Sequence, residues 1–154
     1  MKFFEGFVQM TRFLQQDLWI GAILALLSDS LYYGIGAILF LMYTYAFNDW
    51  VDAPKDMLGH PERAIPSGKI TRTQALSISI VLFILGMGWT ILFLNEHILG
   101  FSLIYLLSTI YSFLLKPNVA LIATPVWSFT FAFLLLQAFT KNPLIYLGVT
   151  IIIY

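Results

Sequence analysis

The chain has 154 residues, 60% of them hydrophobic and 10% charged, with a formal net charge of zero and a mean hydropathy of +0.86. Soluble domains carry about 25% charged residues, so this composition excludes an ordinary globular domain, and the neutral balance excludes bulk attraction to nucleic acid. The absence of cysteine rules out disulfides, thiolate metal sites and cysteine nucleophiles.

The apolar segments are continuous and do not alternate with period two, which argues against a β-barrel. In lipid the remaining way to satisfy the backbone is the α-helix. The composition therefore predicts an all-α, multi-spanning transmembrane bundle, residues 1–154 forming one membrane domain of about five complete helices and the start of a sixth.

The N-terminal stretch carries Glu5, Arg12 and Asp17 before any clean apolar run, and lacks the apolar core and cleavage site of a signal peptide. Phe3, Phe4, Phe7, Val8 and Leu14 recur at roughly helical spacing, which fits an interfacial amphipathic helix or a lead-in to the first span. Leu18 to Phe47 is apolar except at Ser28-Asp29-Ser30. That run is one long tilted helix or a hairpin of two short ones, since crossing a bilayer takes about 20 residues. Charge decides for the hairpin. It places Lys2, Arg12, Lys55, Arg63, Lys69, Arg72 and Lys116 on one side and only Lys141 on the other, and the positive-inside rule then makes loop 48–72 cytoplasmic.

Asn48 to Thr71 is a charged island. With Arg72 it holds half of the chain's charged residues. Membrane proteins concentrate carboxylates and arginines mainly where an ion or an anionic substrate must be held. Thr71 and Gln74 have the spacing of a capping box, opening a helix that runs to about Leu94. Asn95-Glu96-His97 is a short polar turn. Ile98 to Leu115 and Val119 to Phe139 are further spans, the second kinked at Pro125. Lys141-Asn142-Pro143 turns the chain again. The final apolar run, Leu144 to Tyr154, is too short to cross, which predicts a C-terminally incomplete polypeptide.

Within the island, Asn48, Asp49, Asp52 and Asp56 form N-D-x-x-D-x-x-x-D. Positions 48, 52 and 56 stack on one face of a helix, although Pro54 is expected to break that helix near Ala53 and leave Asp56 to the loop. Oxygen donors in this pattern suit Mg²⁺, which takes one or two carboxylates and completes its shell with water and phosphate oxygens. Arg63, Lys69 and Arg72 add positive charge, and a guanidinium matches phosphate oxygens bidentately. Carboxylates, metal and arginine together describe a diphosphate site. His60 reads as an exposed loop residue rather than a ligand.

These residues resemble the UbiA superfamily of intramembrane prenyltransferases. Its first aspartate-rich motif has the form N-D-x-x-D-x-x-x-D, followed by a loop similar to N-R-P-x-P-S-G. The counterparts here are Asn48, Asp49, Asp52 and Asp56, then Pro61 to Gly68. Tyr111-Ser112-Phe113-Leu114-Leu115-Lys116 is similar to the family's Y-S-x-x-x-K. The resemblance implies that Asn48, Asp49, Asp52 and Asp56 hold Mg²⁺ on an isoprenyl diphosphate. It further implies that Arg63 and Lys116, with Asn48, Lys69, Arg72 and Tyr111, bind that substrate, and that an aromatic or other lipophilic acceptor attacks the resulting cation. The family's second acidic motif has no counterpart, since no Asp or Glu follows Glu96. The expectation is a half-site, completed by a C-terminal half or a partner subunit. The alternative is a non-catalytic relative that binds prenyl diphosphate or a partner protein. The aspartate pattern of CDP-alcohol phosphotransferases does not fit, because Ala53-Pro54 follow Asp52.

Overall fold

The computed structural model describes residues 2–116 and Ala132; the expected spans 119–139 and 144–154 and the turn at 141–143 lie outside the described residues. Among the described residues the fold is all helical. Helix α1 (Lys2–Thr11) ends where Arg12 takes a left-handed conformation at φ 53°. A π turn (Phe13–Asp17) then leads into α2 (Leu18–Leu27). The break at Ser28–Ser30 is a true turn: Asp29 has φ 50°, and Ser30 caps the next helix by accepting from Tyr33 N at 3.3 Å.

Helix α3 (Leu31–Gly59) follows, and the hairpin it makes with α2 is close-packed through glycine. A Cβ at Gly34 would lie 2.6 Å from the Ala25 Cβ and 2.5 Å from the Gly21 carbonyl oxygen, so the two backbones approach as small-residue membrane crossings do. The lengths differ from the expected pair of short spans. Helix α3 is the long member because it does not stop at the charged island.

Two expectations are corrected here. Pro54 lies inside α3, which runs on to Gly59, so residues 48–59 of the expected aspartate-rich loop are helical and only 60–71 form a loop. The proline removes one backbone hydrogen bond, the one to the Trp50 carbonyl. Pro54 sits on the exposed face, while Asp52, Ala53 and Asp56 on either side of it are buried. Side-chain ties on the buried face hold both ends of the turn, and the helix continues past the missing bond.

Loop 60–71 is wound and anchored. The Lys69 and Ile70 amides both donate to the Ala64 carbonyl at 3.1 Å, Gly68 supplies φ 73°, and Ala64 and Ile70 are buried. It ends in the expected capping box, with Gln74 N donating to Thr71 Oγ1 at 3.2 Å and Thr71 N to Gln74 Oε1 at 2.9 Å. Helix α4 (Arg72–Phe93) starts there. A 3₁₀ turn (Asn95–His97), α5 (Ile98–Ile110) and a second π turn (Tyr111–Leu115) complete the described fold. The stretches 72–93 and 95–114 are long and apolar enough to cross a membrane, and α4 turns Ile80, Val81, Ile84 and Leu85 outward.

The core lies between α3, α4 and α5, where Phe40, Phe101 and Tyr105 are buried. Polar side chains lock α3 to α5, since Tyr43 and Thr109 share a hydrogen bond of 2.6 Å and Ser108 donates to Thr44 at 3.0 Å. This seam fixes which residues of α3 face the end of α5.

Candidate active site

The last turns of α3 carry the site. Because the helix persists past Pro54, Asn48, Asp52 and Asp56 occupy successive turns of one face, with Asp49 beside them. All three carboxylates are buried. Lys116 reaches them from the end of α5. The π turn at 111–115 inserts an extra residue into the helical repeat, which alters the phase at which Lys116 leaves the helix. Its ammonium donates to Asn48 Oδ1 at 2.8 Å and to the Asp52 carboxylate. Asn48 also donates to Asp52 at 3.1 Å.

Arg63 arrives from the loop. Its Nη1 donates to Asp56 Oδ2 at 2.8 Å and lies 4.0 Å from Asp49 Oδ1. One guanidinium thus spans two turns of α3, and two cation–carboxylate clusters sit in tandem along the helix. Arg63 and Lys116 are 29% and 32% exposed, so each keeps a face open.

Both cations line a cavity of about 240 Å³ together with Tyr45, Asn48 and Tyr111. Arg12 also lines it, its guanidinium 4.4 Å from the centre of the Tyr45 ring. In the sequence Arg12 counts only as one of the positive charges that set the topology. The signal that was available was a lone arginine just before the first apolar run; what brings it to the cavity is its left-handed backbone. Lys69 and Arg72 are not brought there. Lys69 donates to Gln9 at 3.0 Å, and Arg72 lies 5.3 Å above the Trp50 ring. His60 lies 3.4 Å from Glu62 at the exposed surface.

Burial pushes the Asp49 carboxyl up to about 6 against the pull of Arg12 and Arg63, and its Oδ1 is buried without a hydrogen-bond partner. Burial likewise raises Asp17, just ahead of α2, to about 7. The donor set fits Mg²⁺: Asn48 and Asp52 offer hard oxygens on adjacent turns, Asp49 holds an unsatisfied one, and the ion needs only one or two carboxylates when phosphate completes its shell. Among the described residues no three acidic or imidazole groups converge into a closed metal cage, and here Lys116 and Arg63 pair with Asp52 and Asp56.

A second cavity, about 500 Å³ and apolar, lies on the other side of the seam, lined by Tyr43, Phe47, Phe83, Met87 and Tyr105 among others.

A family model described as the UbiA prenyltransferase family matches residues 16–144. The chain is 42% identical over 67 residues to a digeranylgeranylglyceryl phosphate synthase of Saccharolobus solfataricus, a match covering 44% of this chain and 23% of that one. It is 36% identical over 72 residues to the synthase of the same name from Methanoregula boonei, covering 46% and 25% respectively. A solved structure, described as giving "structural and mechanistic insights into the biosynthesis of Digeranylgeranylglyceryl phosphate synthase in membranes", superposes with a TM-score of 0.73 at 22% identity. It covers 90% of this chain and 52% of its own, so the likeness is one of fold. The chain aligns with about a quarter of each curated relative and about half of the solved chain.

Proposed function

The chain belongs to the UbiA prenyltransferase family, and from that premise we propose that it serves Mg²⁺-dependent transfer of a prenyl group from an isoprenyl diphosphate to a lipophilic acceptor within a membrane. One observation carries the reading. Three cationic side chains, Arg12, Arg63 and Lys116, open onto one cavity beside the buried carboxylates of α3. Buried carboxylates cost solvation energy that a structural role would not require, whereas a metal-bound diphosphate needs both signs of charge at once.

Asn48, Asp52 and Asp56, with Asp49, are the residues that would hold Mg²⁺. Bound there, the ion would neutralise charge developing on the diphosphate as its bond to the allylic carbon breaks. Lys116 and Arg63 bind the same diphosphate oxygens and stabilise them as they take the electron pair. Arg12 secures the outer phosphate, its guanidinium oriented by Tyr45. Tyr111 closes the cavity beside Lys116. The acceptor oxygen or carbon forms the new bond to the allylic cation, and the acceptor proton passes to the released diphosphate or to water.

The relatives' name describes a glyceryl phosphate bearing two geranylgeranyl chains, which favours a prenylated glyceryl phosphate as the acceptor. The bundle is multi-pass, with loop 60–71 at the cytoplasmic surface. Catalysis belongs to the site together with a second acidic half, contributed by a C-terminal half or by a partner subunit.

The test is transfer of a radiolabelled geranylgeranyl group to a prenylated glyceryl phosphate in membranes containing the full-length protein. Transfer should require Mg²⁺ and collapse in Asp52→Asn and Lys116→Gln. Undiminished transfer in both variants would refute the assignment. Tight prenyl diphosphate binding with no transfer would favour the non-catalytic binder instead.

A further inference from the structure

Helix α1 presents two edges that point in opposite directions. At about 100° per residue, Phe4 and Val8 lie across the helix from Gly6. Gly6 is buried against the loop, where an added Cβ would come within 2.7 Å of Ile70 Cγ1 and 2.9 Å of Lys69 Cβ. Gln9, on the same edge, accepts from Lys69 Nζ at 3.0 Å and donates to the Glu62 carbonyl at 3.0 Å. Glu62 and Lys69 bracket Arg63, so α1 grips the loop that delivers this guanidinium to the cavity. The opposite edge is open at Phe4, which is 68% exposed, with Val8 partly exposed beside it. Its apolar surface continues beyond Arg12 into Leu14, Leu18 and Trp19, which are also exposed. Exposed apolar residues on both sides of the break at Arg12, with Lys2, Glu5 and Gln9 gathered on another arc of α1, are the pattern of a helix lying in a lipid interface.

We propose that α1 is a bilayer-seated strap: its Phe4–Val8 edge rests in the boundary between lipid headgroups and acyl chains, while its Gly6–Gln9 edge holds the Arg63 loop over the cation cavity. The loop is then positioned against the membrane surface and not by the protein alone. This inference rests on the reading that the bundle crosses a bilayer, and it adds a role for a segment that the diphosphate site does not use.

These 154 residues contain no cysteine, and with any cysteine in the rest of the full-length protein replaced by serine a single label reports on one chosen position. The full-length protein carries a single nitroxide at Phe4→Cys, at Ile84→Cys as the mid-helix reference, or at Lys55→Cys as the aqueous one, in phosphatidylcholine–phosphatidylglycerol vesicles. Collision with oxygen, which concentrates in lipid, is compared with collision with a water-soluble nickel chelate. Position 4 should resemble position 84 more than position 55. An aqueous reading at position 4 overturns the proposal, and so does shielding from both reagents, which would mean that a second copy or another protein covers the edge. An aqueous reading at position 84 would remove the bilayer reading itself, a separate failure. In kinetics, Phe4→Glu should raise KM for the isoprenyl diphosphate by about threefold or more with kcat nearly kept, while Phe4→Leu leaves both unchanged. Equal losses of kcat in both variants would mark a merely structural role and overturn the coupling.

Discussion

Lys116 Nζ donates to Asn48 Oδ1 at 2.8 Å, a hydrogen bond across 68 positions of sequence that ties the end of α5 to the turn of α3 carrying Asp52. This contact joins the Y-S-x-x-x-K stretch, Tyr111 to Lys116, to the aspartate-rich motif of α3. Lys116 is the cation that pairs directly with Asp52, and Asn48 donates to the same carboxylate.

Replacing Lys116 by Met should therefore act twice. Leaving a buried carboxylate unpaired costs about 1–3 kcal/mol of stability after allowance for the partial exposure of the lysine. Losing the cation at the diphosphate should lower kcat by about a hundredfold or more. Thermal unfolding in detergent and single-turnover transfer separate the two effects. A stable, fully active Lys116→Met would remove this residue from the site.

Arg63 touches Asp56 and approaches Asp49 through the same nitrogen. Arg63→Lys keeps the charge but not the planar fork. It should therefore resemble Arg63→Ala, raising KM for the prenyl diphosphate by about tenfold, or about 1.4 kcal/mol. Restoration of wild-type KM by lysine would show that a point charge suffices.

Chelation with EDTA should abolish transfer, and added Mg²⁺ should restore it. Asp52→Asn and Asp56→Asn should shift the Mg²⁺ requirement upward by about tenfold or more, the loss typical when an oxygen ligand or its partner is removed. Unchanged metal dependence in both variants would count against these aspartates as ligands.

Asp17 is fully buried, with neither carboxylate oxygen hydrogen-bonded, and its pKa is raised by burial from 3.8 to about 7. The folded chain thus holds this proton more tightly than the unfolded chain. The stabilisation is complete below about pH 4, declines as pH rises, and is lost above about pH 7. Asp17→Asn should flatten the profile between those limits and gain on the order of 3 kcal/mol above the upper one. A residual slope between about pH 4 and 6 belongs to Asp49. Unfolding midpoints measured across this range would contradict the assignment if the two proteins ran parallel.

Pro54 sits within a continuous helix on its exposed face. Pro54→Ala restores the bond to Trp50 and should stabilise the chain by up to about 3 kcal/mol, the helix-interior cost of proline. Circular dichroism should show no loss of helix, and the carboxylate face should stay in register. A destabilised variant would contradict this account of Pro54.

The aspartate pattern, the capping box at Thr71 and Gln74, the break at Ser28–Ser30 and the apolar stretches 72–93 and 95–114 were legible because each rests on local rules: helical period, hydrogen-bonding side chains at helix ends, and the length of a bilayer. The continuation of α3 through Pro54 was not legible. The local penalty of proline is real, and it was outweighed by ties to Arg63 and Lys116, which are remote in sequence or approach from a separate loop. Arg12 was missed for a related reason, since its role depends on a left-handed backbone and on Tyr45 of another helix. Lys69 and Arg72 look alike as charges in sequence, yet in space Gln9 and Trp50 engage them away from the cavity.

By itself the sequence determined the class of the fold and the chemical kind of the site, because composition and residue spacing fix solvent preference and ligand type. Which cations meet which carboxylates was decided only by the tertiary structure. That pairing depends on the phase of the π turn before Lys116, the hydroxyl seam between α3 and α5, and the grip of α1 on the Arg63 loop, all of them contacts between segments whose separation in sequence carries no trace of their meeting.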